Sequence, residues 1–357
     1  MANSIAVIDN PTASSGAQRA SARSVRAFTI LLLYALTAIA GEDARDYTTV
    51  PGLTRGNSVL WHDPGPVDRL DLRYGAGGPS LVPRPPFRFV KEDLSGTTPK
   101  VRVRDAAGRE WVVKFAIESS PDTFGSHLAW AMGYYTEINY YVRGGTIHGV
   151  HDLKRARKEV DPAGRFAGGR FQLRSKSPEY LAGVSWSWDG NPFVGTPQLN
   201  GLKILMMLLS NWDDKDIRDA HRRGSNTAIY RDGTRFLFFV DDWGGSMGHW
   251  GHYLTRTKWD PVDYYRESEQ FVRVKDAAID WGYRGTHTDR MTDDIRPSDV
   301  RWLMRYLGRL SDRQIYDGLI ASGATRDQAG VFTKALRMRI SQLREIARSD
   351  TMVAGAR

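Results

Sequence analysis

The stretch FLFFVDDWGG, residues 236–245, is five apolar residues that stop abruptly in two carboxylates and two glycines. The apolar run is the length of a buried strand. Carboxylates at its end are costly to bury unless a cation accompanies them, and hard oxygen ligands of this kind suit Mg²⁺. A plain acidic turn is the alternative. A second short apolar run over 228–230 lies just upstream, so the two segments predict a hairpin with Asn226 at its open end.

Further upstream, Thr196-Pro197 predicts a capped start for a helix over 198–209. That helix is apolar on most faces and is therefore expected to be buried. It leads into a charged loop, 210–226, that begins Asn211-Trp212-Asp213-Asp214-Lys215-Asp216. An Asp two residues before a Lys offers a base for a hydroxyl and a cation for a transferring phosphoryl group. A solvated charged loop would read the same way.

The first third is β-rich. A strand is expected over 87–90, then the loop Ser95, Gly96, Thr97, Thr98, then Lys100. Small-residue loops of this kind let backbone N–H groups approach phosphate oxygens, although most are simply hairpin turns. Val101 and Val103 alternate with Arg and predict a half-exposed strand. After a turn at residues 105–108, the return strand over 111–115 carries Lys114 inside WVVKF. A Lys in such a strand either snorkels to the surface or pairs with an anion. Ser120-Pro121 predicts a helix start with Gly133 as its stop, and a strand is expected over 137–142. The last third is helical, with capping boxes at Ser311/Gln314 and Thr325/Gln328 and an apolar stripe of Trp302, Tyr306 and Leu310.

Composition bounds the rest. The chain has 357 residues, 25% charged and 41% hydrophobic, which is ordinary globular usage. The net charge is +9, but the basic residues are spread along the chain. That supports weak attraction to anionic surfaces and no specific nucleic-acid binding. The absence of Cys excludes disulfides, thiolate metal sites and Cys nucleophiles. Residues 27–41 form an uncharged apolar run, preceded by Arg19, Arg23 and Arg26 and closed by Ala38-Ile39-Ala40. This order is that of a secretory signal peptide, 1–40, cleaved before Gly41; a retained signal-anchor or a buried helix are the competitors. Cleavage would lower the net charge by two, to +7. Either export reading puts the protein outside the cytoplasm, periplasmic or secreted, with no stable span after cleavage. Two His pairs with i,i+3 spacing, 148/151 and 249/252, make a weak zinc signal. Residues 244–248 match the letters Gly-x-Ser-x-Gly, but residues 249–253 are a poor helix start for a nucleophile elbow.

Taken in order, these pieces resemble the protein-kinase-like fold, and within it the HipA-like and CotH-like spore-coat kinases. Residues 95–100 are similar to the HipA-type loop that meets nucleotide phosphates. Asn211-Trp212-Asp213 is similar to the opening of those kinases' catalytic loop, and Asp242-Trp243-Gly244 to their metal-binding Asp-Phe-Gly. The Asn-Trp-Asp and Asn191–Thr196 stretches also resemble those of exported bacterial proteins. The resemblance implies an α+β, two-lobed fold. Residues 41–86 would be an extended lead-in, 87–145 a nucleotide-binding N-terminal lobe and 146–350 a helical C-terminal lobe. It implies ATP or another nucleotide with Mg²⁺ or Mn²⁺. Ser95, Gly96, Thr97, Thr98, Lys100 and Lys114 would hold the nucleotide, and Asn226 and Asp242 the metal. Asp213 and Lys215 would be catalytic. The acceptor would be a protein, a glycan or a small molecule. Asn226 follows Asp213 by 13 residues, so 216–225 would loop out. The acidic partner of Lys114 stays open between Glu118 and Asp122. Two functions are compatible with these residues: a phosphotransferase, or a non-catalytic binding protein that keeps the fold.

Overall fold

A computed structural model describes residues 45–213, 226–251, 254–282 and 290–355. The expected signal peptide lies outside these residues. Among them, no helix is long and apolar enough to cross a membrane.

The first half is a curled seven-stranded sheet. Its strands are β1 (Phe87–Asp93), β2 (Lys100–Arg104), β3 (Glu110–Lys114), β4 (Asn139–Val142), β5 (Gly145–His148), β6 (Arg165–Phe166) and β7 (Gly169–Leu173). The order across the sheet is β4-β7-β3-β2-β1-β5-β6. All neighbours are antiparallel except β1 and β5. Alternation decides which face is inside: Val101 and Val103 of β2 and Trp111 and Val113 of β3 are buried with Phe87, Phe115 and Phe171. The β2–β3 turn is held by Asp105, whose Oδ1 accepts from the N–H groups of Ala107 and Arg109, each at 2.9 Å.

The sheet does not stop at residue 145, where the resemblance would end the N-terminal lobe. It continues to Leu173, and β7 is an inner strand between β4 and β3. Gly169 allows this approach, since a Cβ there would lie 3.0 Å from Val113 Cγ1. The strands after residue 144 are two to five residues long, too short to show periodicity.

Helix α1 (Ser119–Ala131) follows β3. It begins one residue before the expected cap. The Ser119 hydroxyl is spent on the Lys114 carbonyl at 2.8 Å, and Glu118 is the N-cap without a side-chain cap bond. Gly133, at φ +90°, follows the helix end as expected.

The second half is helical around a four-stranded sheet. Helix α2 (Pro197–Leu208) starts as expected, with Thr196 Oγ1 accepting from Leu199 N–H at 3.2 Å. The expected hairpin forms from β8 (Thr227–Asp232) and β9 (Arg235–Val240), flanked by Glu179–Tyr180 and Ser58–Val59. Helices α3 (Pro261–Arg266), α4 (Pro297–Leu307), α5 (Asp312–Ala321) and α6 (Arg326–Gly355) complete the chain. Both capping boxes form. The lead-in packs on this half: Leu60, Val67 and Leu72 are buried in its core, and Trp61 packs on Trp302 and Tyr306. The molecule therefore has two main hydrophobic cores, one under the seven-stranded sheet and a larger one among the helices.

The end of α2 positions the site. Ser210 adopts φ +53°, Ser210 N–H bonds to Met207 and Asn211 N–H reaches back to Met206. This is a Schellman turn with serine where glycine is usual. Arg339, fully buried on α6, offsets that strain by donating to Ser210 Oγ at 2.7 Å and to the Leu208 carbonyl at 2.9 Å. The turn sends Asn211, Trp212 and Asp213 away from the helix.

Candidate functional site

The site grows from Lys114, at the end of β3. It is buried, with 6% of its surface exposed. Its Nζ lies 3.3 Å from Asp122 Oδ2, 3.3 Å from Asp242 Oδ2 and 3.5 Å from Glu118 Oε2. The Asp242 contact closes 128 residues of chain. Of the two readings open for Lys114, anion pairing is the one found, because the side chain points toward the following helix rather than to solvent. Burial pushes the ammonium down, but Asp122, Asp242 and Glu118 together raise it above its ordinary value.

Asp122, in the first turn of α1, is the buried centre of the cluster. It takes Arg170 Nη1 at 2.8 Å as well as Lys114, and its Oδ1 accepts from Trp243 N–H at 3.1 Å. One carboxylate thus ties β3, β7, α1 and the loop after β9. Burial pushes it up, and Arg170 and Lys114 oppose that. Gly125, one turn on, leaves room for Trp243, since a Cβ there would sit 2.6 Å from Trp243 Cβ. Arg170 continues to Glu137 Oε2 at 3.9 Å, and Glu137 accepts from Tyr230 Oη at 2.5 Å.

Asp242 stands at the open end of the hairpin. Asn226 stands across the hairpin from Asp241, the residue before it, whose N–H bonds the Asn226 carbonyl at 3.0 Å. Burial pushes Asp242 up, but Lys114 and Gly244 N–H, the latter at 2.8 Å, bring it below the usual carboxylate range. Asp241 goes the other way: burial, Glu137 and Asp242 push it well above that range.

The loop after α2 lies on this turn. Trp212 N–H bonds the Gly245 carbonyl at 3.3 Å, and Asn211 Nδ2 donates to the Asp242 carbonyl at 3.1 Å. Gly245 is required there, since a Cβ would meet Asp213 Cβ at 2.8 Å and Asn211 Oδ1 at 3.0 Å. Burial and the negative charge of Asp242 raise the Asp213 carboxyl, with Arg256 and Lys258 opposing. A raised carboxyl is a better proton acceptor than an ordinary one.

The β1–β2 loop reaches the cluster through Thr98, whose Oγ1 donates to Glu118 Oε2 at 3.0 Å. Ser95, Gly96 and Thr97 are exposed. Lys100 bends back over them, donating to Ser95 Oγ at 3.1 Å, while burial and the nearby Lys114 and Arg170 lower it. The structure therefore brings Thr98, Lys114, Asp213, Asn226 and Asp242 to one side of the molecule. Lys215 lies outside the described residues.

Sequence reasoning missed Arg170, Glu137 and Lys258. Arg170 had one signal, a charged residue in a short strand after two glycines; Lys258 had none. Ser246, the centre of the Gly-x-Ser-x-Gly match, is fully buried, and the described residues directly after it, 247–251, are not helical.

Among the described residues, no three acidic or histidine side chains form a metal cage by themselves. Asp242, about a third exposed beside Lys114, has the chemistry of one ligand for a divalent cation that draws its remaining ligands from phosphate and water, as Mg²⁺ commonly does. Asp213 and Asp241 are raised first by burial and second by neighbouring carboxylates, and a cation would offset only the second of these. Comparison with protein-family models, curated proteins and solved structures finds no match to this chain.

Proposed function

We propose that this chain is an exported phosphotransferase of two-lobed, protein-kinase-like architecture. It takes ATP or a similar nucleotide with Mg²⁺ or Mn²⁺ between the sheet and the helices, and phosphorylates a hydroxyl of a protein, glycan or small molecule. What carries the reading is the contact of Lys114 with Asp242, at 3.3 Å across 128 residues, with the Asn211–Asp213 loop packed against the same turn. A cation for phosphate, a carboxylate for a metal and a second carboxylate of raised basicity meet in one cluster.

In this reading Lys114 and Thr98 bind phosphate oxygens. Asp242 and Asn226 would hold the cation, which when bound neutralises phosphate charge. Asp213 orients the acceptor hydroxyl and takes its proton. The acceptor oxygen forms a bond to the terminal phosphorus, and the bond from that phosphorus to the bridging oxygen breaks. The departing nucleoside diphosphate keeps the electron pair.

A second reading, a non-catalytic binding protein, is favoured by the engagement of Lys114 with three carboxylates at once. The test is thermal unfolding of the chain with ATP, GTP and ADP, each with and without Mg²⁺ or Mn²⁺, followed by nucleoside diphosphate release. A ligand that binds only the folded state raises the midpoint. A metal-dependent shift with turnover supports the phosphotransferase, and a shift without turnover supports the binding protein. No shift with any nucleotide refutes both.

A further inference from the structure

Glu118 is held by three donors from three parts of the chain. Thr98 Oγ1 comes from the β1–β2 loop at 3.0 Å, Lys114 Nζ from β3 at 3.5 Å, and Lys258 Nζ from the segment beyond Gly248. Glu118 is the N-cap of α1, yet its side chain makes no cap bond to that helix. It is also a quarter exposed, as is Lys258, whereas the Asp122 side chain is fully buried. Of the two carboxylates on the near side of Lys114, Asp122 is therefore fixed and Glu118 is exchangeable.

Lys258 is delivered rigidly. A Cβ on Gly248 would lie 2.4 Å from the Thr257 carbonyl carbon and 2.6 Å from Lys258 N, so the two chain segments touch there. Thr257 N–H bonds the His249 carbonyl and Trp259 N–H the Ser246 carbonyl, each at 3.0 Å. Trp212 Nε1 donates to the Thr257 carbonyl at 2.9 Å, and Lys258 Nζ lies 5.6 Å from the Trp212 ring centroid. The ammonium thus stands next to the loop that carries Asp213 while bonding to Glu118 on the sheet side.

We propose that Lys258 is an anion-binding residue of this site and that Glu118 is its internal stand-in, a carboxylate seated where a terminal phosphoryl group binds. An arriving phosphate displaces Glu118 from Thr98, Lys114 and Lys258, while Asp122 keeps Lys114 in position. That the phosphate belongs to a nucleotide rests on the phosphotransferase reading; the anion site itself does not.

The test is calorimetric titration of the full chain with inorganic tripolyphosphate, Mg-ATP and Mg-ADP. Glu118→Gln removes the competing charge and binds tripolyphosphate about five- to tenfold more tightly. Lys258→Met binds tripolyphosphate and ATP about tenfold more weakly, the worth of one charge-assisted hydrogen bond, with a smaller change for ADP. Lys258→Arg keeps the charge and stays within about twofold of the parent. Unchanged or weaker binding in Glu118→Gln overturns the stand-in, and unchanged binding in Lys258→Met overturns the anion site. If Asp242→Asn loses ATP while Lys258→Met keeps it, the nucleotide reading survives and this inference falls. If the parent binds tripolyphosphate with these dependences but not ATP, the anion site stands and the nucleotide reading falls. Binding of neither ligand to the parent overturns both.

Discussion

Replacing Asp122 with Ala removes the carboxylate at the centre of the cluster and leaves its partners buried. Arg170 and Lys114 are 5% and 6% exposed, and Trp243 N–H loses its acceptor. Lys114 keeps Asp242 at 3.3 Å and Glu118 at 3.5 Å, but among the described residues Arg170 keeps only Glu137, at 3.9 Å, as an ion-pair partner. Breaking a buried pair by removing one partner costs about 3–5 kcal/mol. The alternative partners of Lys114 put this case near the lower end, about 3 kcal/mol. For a chain of 357 residues, with an unfolding entropy of about 0.7 kcal/mol/K, that lowers the thermal midpoint by roughly 4–5 °C. Glu118→Ala serves as the comparison. Its side chain is 25% exposed, Lys258 can turn to water and Lys114 keeps Asp122 and Asp242, so its loss should stay below about 1 kcal/mol. Guanidinium unfolding followed by far-ultraviolet circular dichroism gives both values. A loss for Asp122→Ala no larger than for Glu118→Ala would refute the assignment of Asp122 as the structural centre.

Three further outcomes are expected. Asp242→Asn should abolish the metal-dependent part of the nucleotide-induced thermal shift, whereas Asp213→Asn should leave the shift nearly intact and lower turnover about 100-fold; equal loss of binding in both would contradict the division of roles. Because the folded protein raises the Asp213 carboxyl above its ordinary value of 3.8, Asp213 favours folding only when protonated, and that contribution is lost as pH rises through the folded value. Asp213→Asn should therefore raise the midpoint at neutral pH, with a gain that shrinks on acidification, and a gain that grows toward low pH would contradict it. Gly245→Ala drives a methyl group against Asp213 and Asn211, so it should cost about 1–3 kcal/mol of stability. It should also lower turnover, and parental stability in the Gly245→Ala protein would show that the two loops do not touch.

Several elements were legible before any fold was known, because their signals are local. The alternation of Val101 and Val103, the Thr196-Pro197 cap and the apolar run into Asp241-Asp242 each depend on residues a few positions apart. The same locality explains the errors. The helix after β3 starts early because Ser119 bonds the Lys114 carbonyl, and the short strands from 145 to 173 carry too few residues to show a period.

The sequence by itself determined which residues carry charge at element ends: Lys114 closing one apolar strand, Asp242 closing another, and Asp213 following a buried helix. Only the tertiary structure decided which of them meet. It selected Asp122 as the buried partner of Lys114 and set Glu118 at the mouth of the cluster. It also brought in Arg170 from an inner strand and Lys258 from 140 residues beyond Glu118. The physical reason is that the strength of an ion pair depends on distance and burial, neither of which is written along the chain. An exposed lysine and a buried one look alike in a sequence, and they differ only once the rest of the chain has excluded water from one of them.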